Sequence, residues 1–210
     1  MTEPAAANQP LVIAVMGPTA VGKTALAIQL AKALDTCILS ADARQCYQEL
    51  TIGTAKPSAD QLAAVEHGFI NTHRIHQPVS AADFEQEGLD YLKKVLHDRP
   101  YAVVVGGSGL YLKALLEGMD PVPRPDPAVR AELQQALARD GLKALTHELA
   151  EADPEGYRSV DQHNPARVLR ALEVVRTTGY SITAYWRRNP VKRPFRTLKL
   201  GLTLPRQLLH

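Results

Sequence analysis

Residues 11–24, reading LVIAVMGPTAVGKT, constrain the fold of this chain more than any other stretch. Leu11–Met16 is an unbroken apolar, β-branched run, the pattern of a parallel strand buried on both faces. Gly17, Pro18, Thr19, Ala20, Val21, Gly22, Lys23 and Thr24 then satisfy G-x-x-x-x-G-K-[ST] in full, and residues 25–34 read as a helix of strong formers. Strand, loop and helix in that order are the setting in which this pattern cradles phosphates. The glycines let backbone N–H groups turn inward, and the helix N-terminus adds partial positive charge. Lys23 supplies a mobile full charge, and the Thr24 hydroxyl is a ligand for Mg2+. A di- or triphosphate is the expected ligand.

With 210 residues and an apolar fraction of 45%, the chain suits one large domain, or one domain with an insertion. No run approaches the 18 apolar residues of a membrane-spanning helix. Residues 1–10 are polar and Ala-rich, unlike a signal peptide, so a cytoplasmic monomer away from membranes is expected. Cys37 and Cys46 show no metal-binding or disulfide spacing and are expected as reduced thiols. His73 and His76 lack a third ligand and are expected at the surface.

Charge is distributed unevenly. Residues 1–157 carry 13 Lys and Arg against 20 Asp and Glu, whereas residues 158–206 carry 11 against 2. A net −7 followed by a net +9 points to a polyanion contacting the second part.

Along the chain, residues 36–41 form a second short apolar run that ends in Asp42-Ala43-Arg44-Gln45. Parallel strands open their C-terminal ends on one side of the sheet, so Asp42 is expected to face the phosphate site. Ser58 is expected to cap a short helix to residue 66. Ser80 opens a variant capping box closed by Asp83, for a helix to about residue 97 that buries Phe84, Leu89, Leu92 and Leu96. Residues 101–105 make another buried strand, followed by Gly106-Gly107-Ser108-Gly109 and a helix over 110–117. This βα alternation gives residues 1–120 an α/β fold, a P-loop NTPase-like parallel sheet flanked by helices.

The pattern changes at residues 120–127, where four prolines in eight residues form a stiff linker. Asp126 with Pro127 starts a helix that Gly141 stops, and a second helix covers 142–152. Asn164 with Pro165 starts another, stopped by Gly179, whose polar face carries Arg167 and Arg170. Ser181 is expected to cap a last short helix bearing Tyr185, Trp186, Arg187 and Arg188. Residues 121–195 therefore read as an all-helical insertion, and 196–210 as a strand returning to the core.

The strand over 101–105 ends without an acid, which is unusual for a P-loop that transfers a γ-phosphoryl group. Asp42 is the one well-placed carboxylate. It suits a Mg2+ partner, a general base near the leaving group, or a cap on the next helix.

Five blocks occur in order: Gly17 to Thr24, Ser40-Ala41-Asp42-Ala43-Arg44-Gln45, Gly53-Thr54-Ala55-Lys56-Pro57, Gly106-Gly107-Ser108-Gly109-Leu110-Tyr111, and Arg167-Val168-Leu169-Arg170-Ala171-Leu172-Glu173-Val174. Together they closely resemble the tRNA dimethylallyltransferase family, the tRNA isopentenyltransferases. The resemblance implies prenyl transfer from dimethylallyl diphosphate to N6 of the adenosine 3′ to the anticodon. The P-loop would then hold a leaving pyrophosphate through Thr19, Lys23 and Thr24 with Mg2+, and Asp42 would accept the amine proton. Asp42, Ala43, Arg44, Gln45, Ser108 and Arg130 match family positions that contact the tRNA near its target. Ala166, Arg167, Val168, Leu169 and Arg170 match the helix that meets the anticodon stem–loop.

Three positions depart from the family pattern: Ala43 replaces a Ser, Thr51 an acid, and the residues before the Arg helix lack an Asp. Family members also continue beyond residue 210 with basic helices, so this chain is expected to bind diphosphate weakly and to turn over little. Two other functions fit the same fold. One is a small-molecule or nucleotide kinase using Asp42 on Mg2+ or the acceptor hydroxyl. The other is a non-catalytic RNA-binding module switched by phosphate.

Overall fold

A computed structural model describes residues 9–186, 189–205 and 207. The chain divides into two compact units, Met1–Met119 with Pro190–His210, and Asp120–Asn189. The junction falls after Asn189, so residues 190–195 belong with the α/β unit instead of the helical stretch expected over 121–195. Arg193 shows why. Its guanidinium donates to Glu85 Oε1 and to the Ala114 carbonyl, each at 2.6 Å, and Phe195 is buried in the same core.

In the α/β unit, five parallel strands form one sheet in the order β3-β2-β4-β1-β5: β1 (Leu11–Met16), β2 (Ile38–Ser40), β3 (His67–Gly68), β4 (Tyr101–Gly106) and β5 (Arg196–Gly201). Successive side chains of a strand face opposite ways. Val12 and Ala14 join Leu39, Ala102 and Val104 in a core under α3 (Ala81–Asp98) and α4 (Gly109–Glu117). Val15, Ile38, Val103 and Val105 face the other way and pack on Ala27 and Ala31 of α1 (Lys23–Ala33). Burial on both faces is why these strands are continuous apolar runs. β5 pairs with β1 alone and is mostly exposed.

Serine caps set the helix starts. Ser58 and Gln61 form a full capping box on α2 (Ala59–Ala64), and Ser80 with Asp83 forms another on α3. The expected burial of α3 is uneven. Phe84 and Leu92 are fully buried, whereas Leu89 and Leu96 are partly buried at the edge of the core. Phe84 stacks on Tyr111 of α4 with ring centroids 4.4 Å apart, and Phe69 meets Phe84 edge-on at 4.8 Å.

The helical unit contains α5 (Pro127–Ala152), α6 (Pro154–Ser159) and α7 (Pro165–Thr178), followed by a 3-10 turn over Ile182–Tyr185. Gly141, at φ 79°, breaks α5 at the expected point. The short α6 was not anticipated, although Asp153-Pro154 repeats the cap-and-proline start of α5 and α7. Its cap is buried. Asp153 Oδ1 accepts the Gly156 N–H at 2.8 Å, and its Oδ2 accepts the Ser181 hydroxyl at 2.9 Å. Leu133, Leu145, Leu149, Val168 and Leu172 fill the centre of this unit. Arg187 and Arg188, expected on the last short helix, lie outside the described residues.

Candidate functional site

Four loops, each near the C-terminal end of a parallel strand or following β2, line one cavity of about 550 Å3 in the α/β unit. From the P-loop come Thr19, Ala20, Gly22, Lys23 and Thr24. The segment after β2 contributes Asp42, Ala43, Arg44 and Gln45, and the next loop Gly53, Thr54 and Ala55. The turn after β4 adds Gly106, Gly107 and Ser108. Gly17, Pro18 and Val21 shape the P-loop without lining the cavity, and Val21 is buried.

The P-loop leaves its helix end available. Gly22 occupies the cap of α1 at φ 90°, a conformation that suits glycine, and no side chain bonds to the first amides of the helix. An uncapped N-terminus of this kind attracts phosphate. Lys23 Nζ donates to the Pro18 carbonyl at 2.6 Å, across its own loop. Burial lowers the Lys23 pKa below the usual lysine range, and the nearby Asp42 charge acts against that shift.

The segment after β2 is held by short contacts. Asp42 Oδ1 accepts the Arg44 N–H at 2.9 Å and the Gln45 N–H at 3.4 Å, closing a tight turn. Among the described residues, Asp42 Oδ2 has no hydrogen-bond partner. One carboxylate oxygen thus fixes the loop while the other is left for a ligand. Ser108 heads α4 but does not cap it; its Oγ accepts the Ala43 N–H at 3.0 Å. Gly106 lets the ends of β2 and β4 meet, because a Cβ there would collide with the Ala41 carbonyl.

Gln45 is spent on its own fold. Its Oε1 accepts the Ser40 hydroxyl at 2.9 Å, and its Nε2 donates to the carbonyls of Thr54 and Ala55 at 3.2 and 3.0 Å. That is how the 53–55 loop reaches the cavity. Lys56 likewise supports this loop, donating to the Tyr47 carbonyl and, at 2.7 Å, to Asn71 Oδ1. Gly53, Thr54, Ala55 and Gln61 were not anticipated as cavity residues. The signal for the first three was the Gly-Thr-Ala-Lys-Pro block itself; Gln61 offered none.

The remaining expected residues belong to the helical unit. Arg167 is exposed, and among the described residues its guanidinium has no partner. Arg170 is engaged with Glu173 Oε2 at 3.1 Å and with the Pro123 carbonyl at 2.5 Å. Arg130 reaches the other oxygen of the buried Glu173 at 3.5 Å. Within the expected RNA-contact stretch, the Val168 side chain is fully buried in the core while Ala166 is exposed. Leu169 packs half-buried at the core edge.

Among the described residues there is no cluster of three or more His, Cys, Asp or Glu side chains suited to a metal ion. His76 is exposed, and His73 is partly buried beside Glu87, 3.2 Å away. Both cysteines are free and buried. No described helix is long and apolar enough to cross a membrane.

Known proteins are similar to this chain in sequence and fold. The chain matches the family model described as IPP transferase over residues 45–210. It is 45% identical over 199 residues to the tRNA dimethylallyltransferase of Cytophaga hutchinsonii, covering 95% of this chain and 66% of that protein. Against the tRNA dimethylallyltransferase of Stenotrophomonas maltophilia it is 43% identical over 206 residues, covering 97% and 65%. The crystal structure of the full-length tRNA isopentenylpyrophosphate transferase from Bacillus halodurans superposes with a TM-score of 0.60 at 32% identity, covering 96% of this chain and 62% of that one. A eukaryotic dimethylallyltransferase acting on tRNA gives a TM-score of 0.74 at 25% identity, covering 92% and 48%. The chain thus spans about two thirds of the length of the curated relatives it matches, and about half of the eukaryotic one. With the family model running from Gln45 through the helical unit and β5, and the P-loop fold shared with solved relatives, the chain belongs to the IPP transferase family.

Proposed function

We propose that this chain provides the catalytic cradle and a tRNA-binding surface for transfer of a dimethylallyl group. The group would pass from dimethylallyl diphosphate to N6 of the adenosine 3′ to the anticodon. One observation carries the proposal: the free Oδ2 of Asp42 shares a cavity with an uncapped P-loop helix, and β4 ends in Gly106 without an acid. A γ-phosphoryl transferase needs an ion-holding acid in such a place, whereas departure of a pyrophosphate does not. The names and activities of the relatives support the same reading.

The residues divide the chemistry between them. The backbone amides at the start of α1 hold the diphosphate, and Lys23 exchanges the Pro18 carbonyl for a phosphate oxygen. Thr24 would be the protein ligand of Mg2+, and the ion would supply charge neutralisation for the leaving group. As the allylic C–O bond breaks, its electron pair leaves with pyrophosphate. N6 forms the new C–N bond, and Asp42 takes the amine proton. The adenine must leave the loop stack to reach this point. Asp42 is anchored through Oδ1, so its other oxygen meets the amine from a fixed position.

Single-turnover incubation with tRNA, dimethylallyl diphosphate and Mg2+, followed by nucleoside mass spectrometry, tests the proposal and registers even slow transfer. N6-dimethylallyladenosine in the anticodon loop is expected. Substrate-dependent ADP release from ATP would favour a kinase instead. RNA binding that responds to diphosphate without any modified base would favour a non-catalytic module.

A further inference from the structure

A second cavity, of about 470 Å3, lies wholly within the helical unit and plays no part in the chemistry above. Trp186 and Arg167 stand at its walls, with Ile182, Ala166 and Val160 giving it an apolar lining. Its size falls in the range of small-molecule pockets.

The two arginines at this cavity differ in state. Arg170 is held by the Glu173 carboxylate and the Pro123 carbonyl, and so forms a fixed wall. Arg167 is exposed and has no partner among the described residues. Trp186 is 41% exposed although it is the only tryptophan of the chain, and leaving so large an aromatic surface wet is costly. The start of α7 does not by itself explain the site. Its first amides, at Ala166 and Arg167, are already taken by Asn164 Oδ1.

An indole face, a free guanidinium and an apolar lining match the parts of one unstacked nucleotide. Base stacking on an aromatic ring tolerates any sequence, and a phosphate next to the base would pair with the arginine. Charge favours RNA over an apolar peptide as the occupant. Among the described residues, the only charged side chains at its walls are the arginines Arg167 and Arg170, with no carboxylate in the lining, and Arg187 and Arg188 follow Trp186 directly in sequence. We infer that this cavity is a nucleotide-binding subsite, in which Trp186 stacks on an unpaired base of the RNA substrate and Arg167 holds an adjoining phosphate. The inference rests on the proposed RNA substrate and adds a docking point separate from the P-loop cavity.

The single indole reports on this site alone. The full chain is titrated with hexauridylate, with an abasic ribose-phosphate hexamer, with an RNA duplex and with pyrophosphate, while its tryptophan fluorescence is followed. Anisotropy of a labelled anticodon stem–loop measures overall binding in parallel. Saturable quenching by hexauridylate, and little by the other three, is expected. Trp186→Ala should weaken stem–loop binding roughly 5- to 150-fold, the range for one base–aromatic stack, and Trp186→Phe should restore most of it. Arg167→Ala should lower the slope of log affinity against log salt by about 0.7, one single-strand phosphate. Equal quenching by the abasic hexamer would overturn the inference. So would normal stem–loop binding by Trp186→Ala, and in that case the transferase reading would still stand on the mass-spectrometric assay. Absence of all RNA binding would overturn both.

Discussion

Lys23 Nζ donates to the carbonyl of Pro18 at 2.6 Å, so the one mobile cation of the P-loop is bonded across the loop that surrounds its ligand. This bond ties the side chain to its own loop. It also places the ammonium where burial lowers its pKa below the usual lysine range.

Diphosphate binding should therefore depend on pH through Lys23. An anion favours the charged ammonium, so binding draws a proton onto any lysine that has lost one. Affinity for Mg-pyrophosphate should fall as pH rises, beginning below the range in which an ordinary lysine titrates. Calorimetry in buffers of different ionisation enthalpy should show proton uptake at alkaline pH, and Lys23→Met should abolish that uptake along with most of the affinity.

Asp42→Asn should separate the two roles of this carboxylate. The amide oxygen still accepts the Arg44 and Gln45 N–H groups, so the turn persists and stability changes by less than about 0.5 kcal/mol. Transfer should fall by about 10² to 10⁴, the usual contribution of a general base, with little change in RNA affinity. Single-turnover rates set beside urea melts check this, and near-normal rates would confine Asp42 to the turn.

Gly106→Ala should damage the sheet where the site is assembled. The new methyl would meet the Ala41 carbonyl, a backbone atom with no freedom to move aside. The expected cost is about 3 kcal/mol, measurable by denaturant unfolding, with weaker diphosphate binding because Ala43 and Ser108 shift apart.

Arg167 and Arg170 should prove unequal although both lie on α7. Arg170→Ala removes a partner from the buried Glu173 and should destabilise the protein by about 2 kcal/mol, with Arg130 keeping part of the pairing. Arg167→Ala should leave stability within about 0.5 kcal/mol while reducing RNA affinity. Thermal melts of the two variants decide the matter. Equal stability would mean that Glu173 draws little from Arg170.

Much of the local structure was legible in the residues alone. β1 and β4 announce themselves as apolar runs, and Ser58, Ser80, Asp126 and Asn164 cap helices where their sequences place them. Such features arise from neighbours within one or two turns of chain, whose spacing can be read directly. The P-loop and Asp42 share a cavity because parallel strands open on one side, which the βα order already implies. The two-residue β3 gave no such signal, because two residues show no periodicity. α6 went unread although its Asp-Pro start is the one found at α5, since six residues between two longer helices carry little pattern of their own.

Other assignments depend on partners far away in sequence. Gln45 carries an amide suited to RNA, yet the carbonyls of Thr54 and Ala55 claim it, nine and ten residues on. Arg170 looks like Arg167 until the Pro123 carbonyl, 47 residues earlier, engages it. Val168 sits in the stretch expected to meet RNA, but the rotation of α7 in its own core turns that side chain inward. The sequence by itself determined the P-loop, the βα order, the helix caps and the basic second part, because each is a property of short spacing or composition. Only the tertiary structure decided which polar groups remain free for a ligand. Freedom is what is left after long-range packing has satisfied every donor and acceptor it can reach, and no local pattern records that remainder.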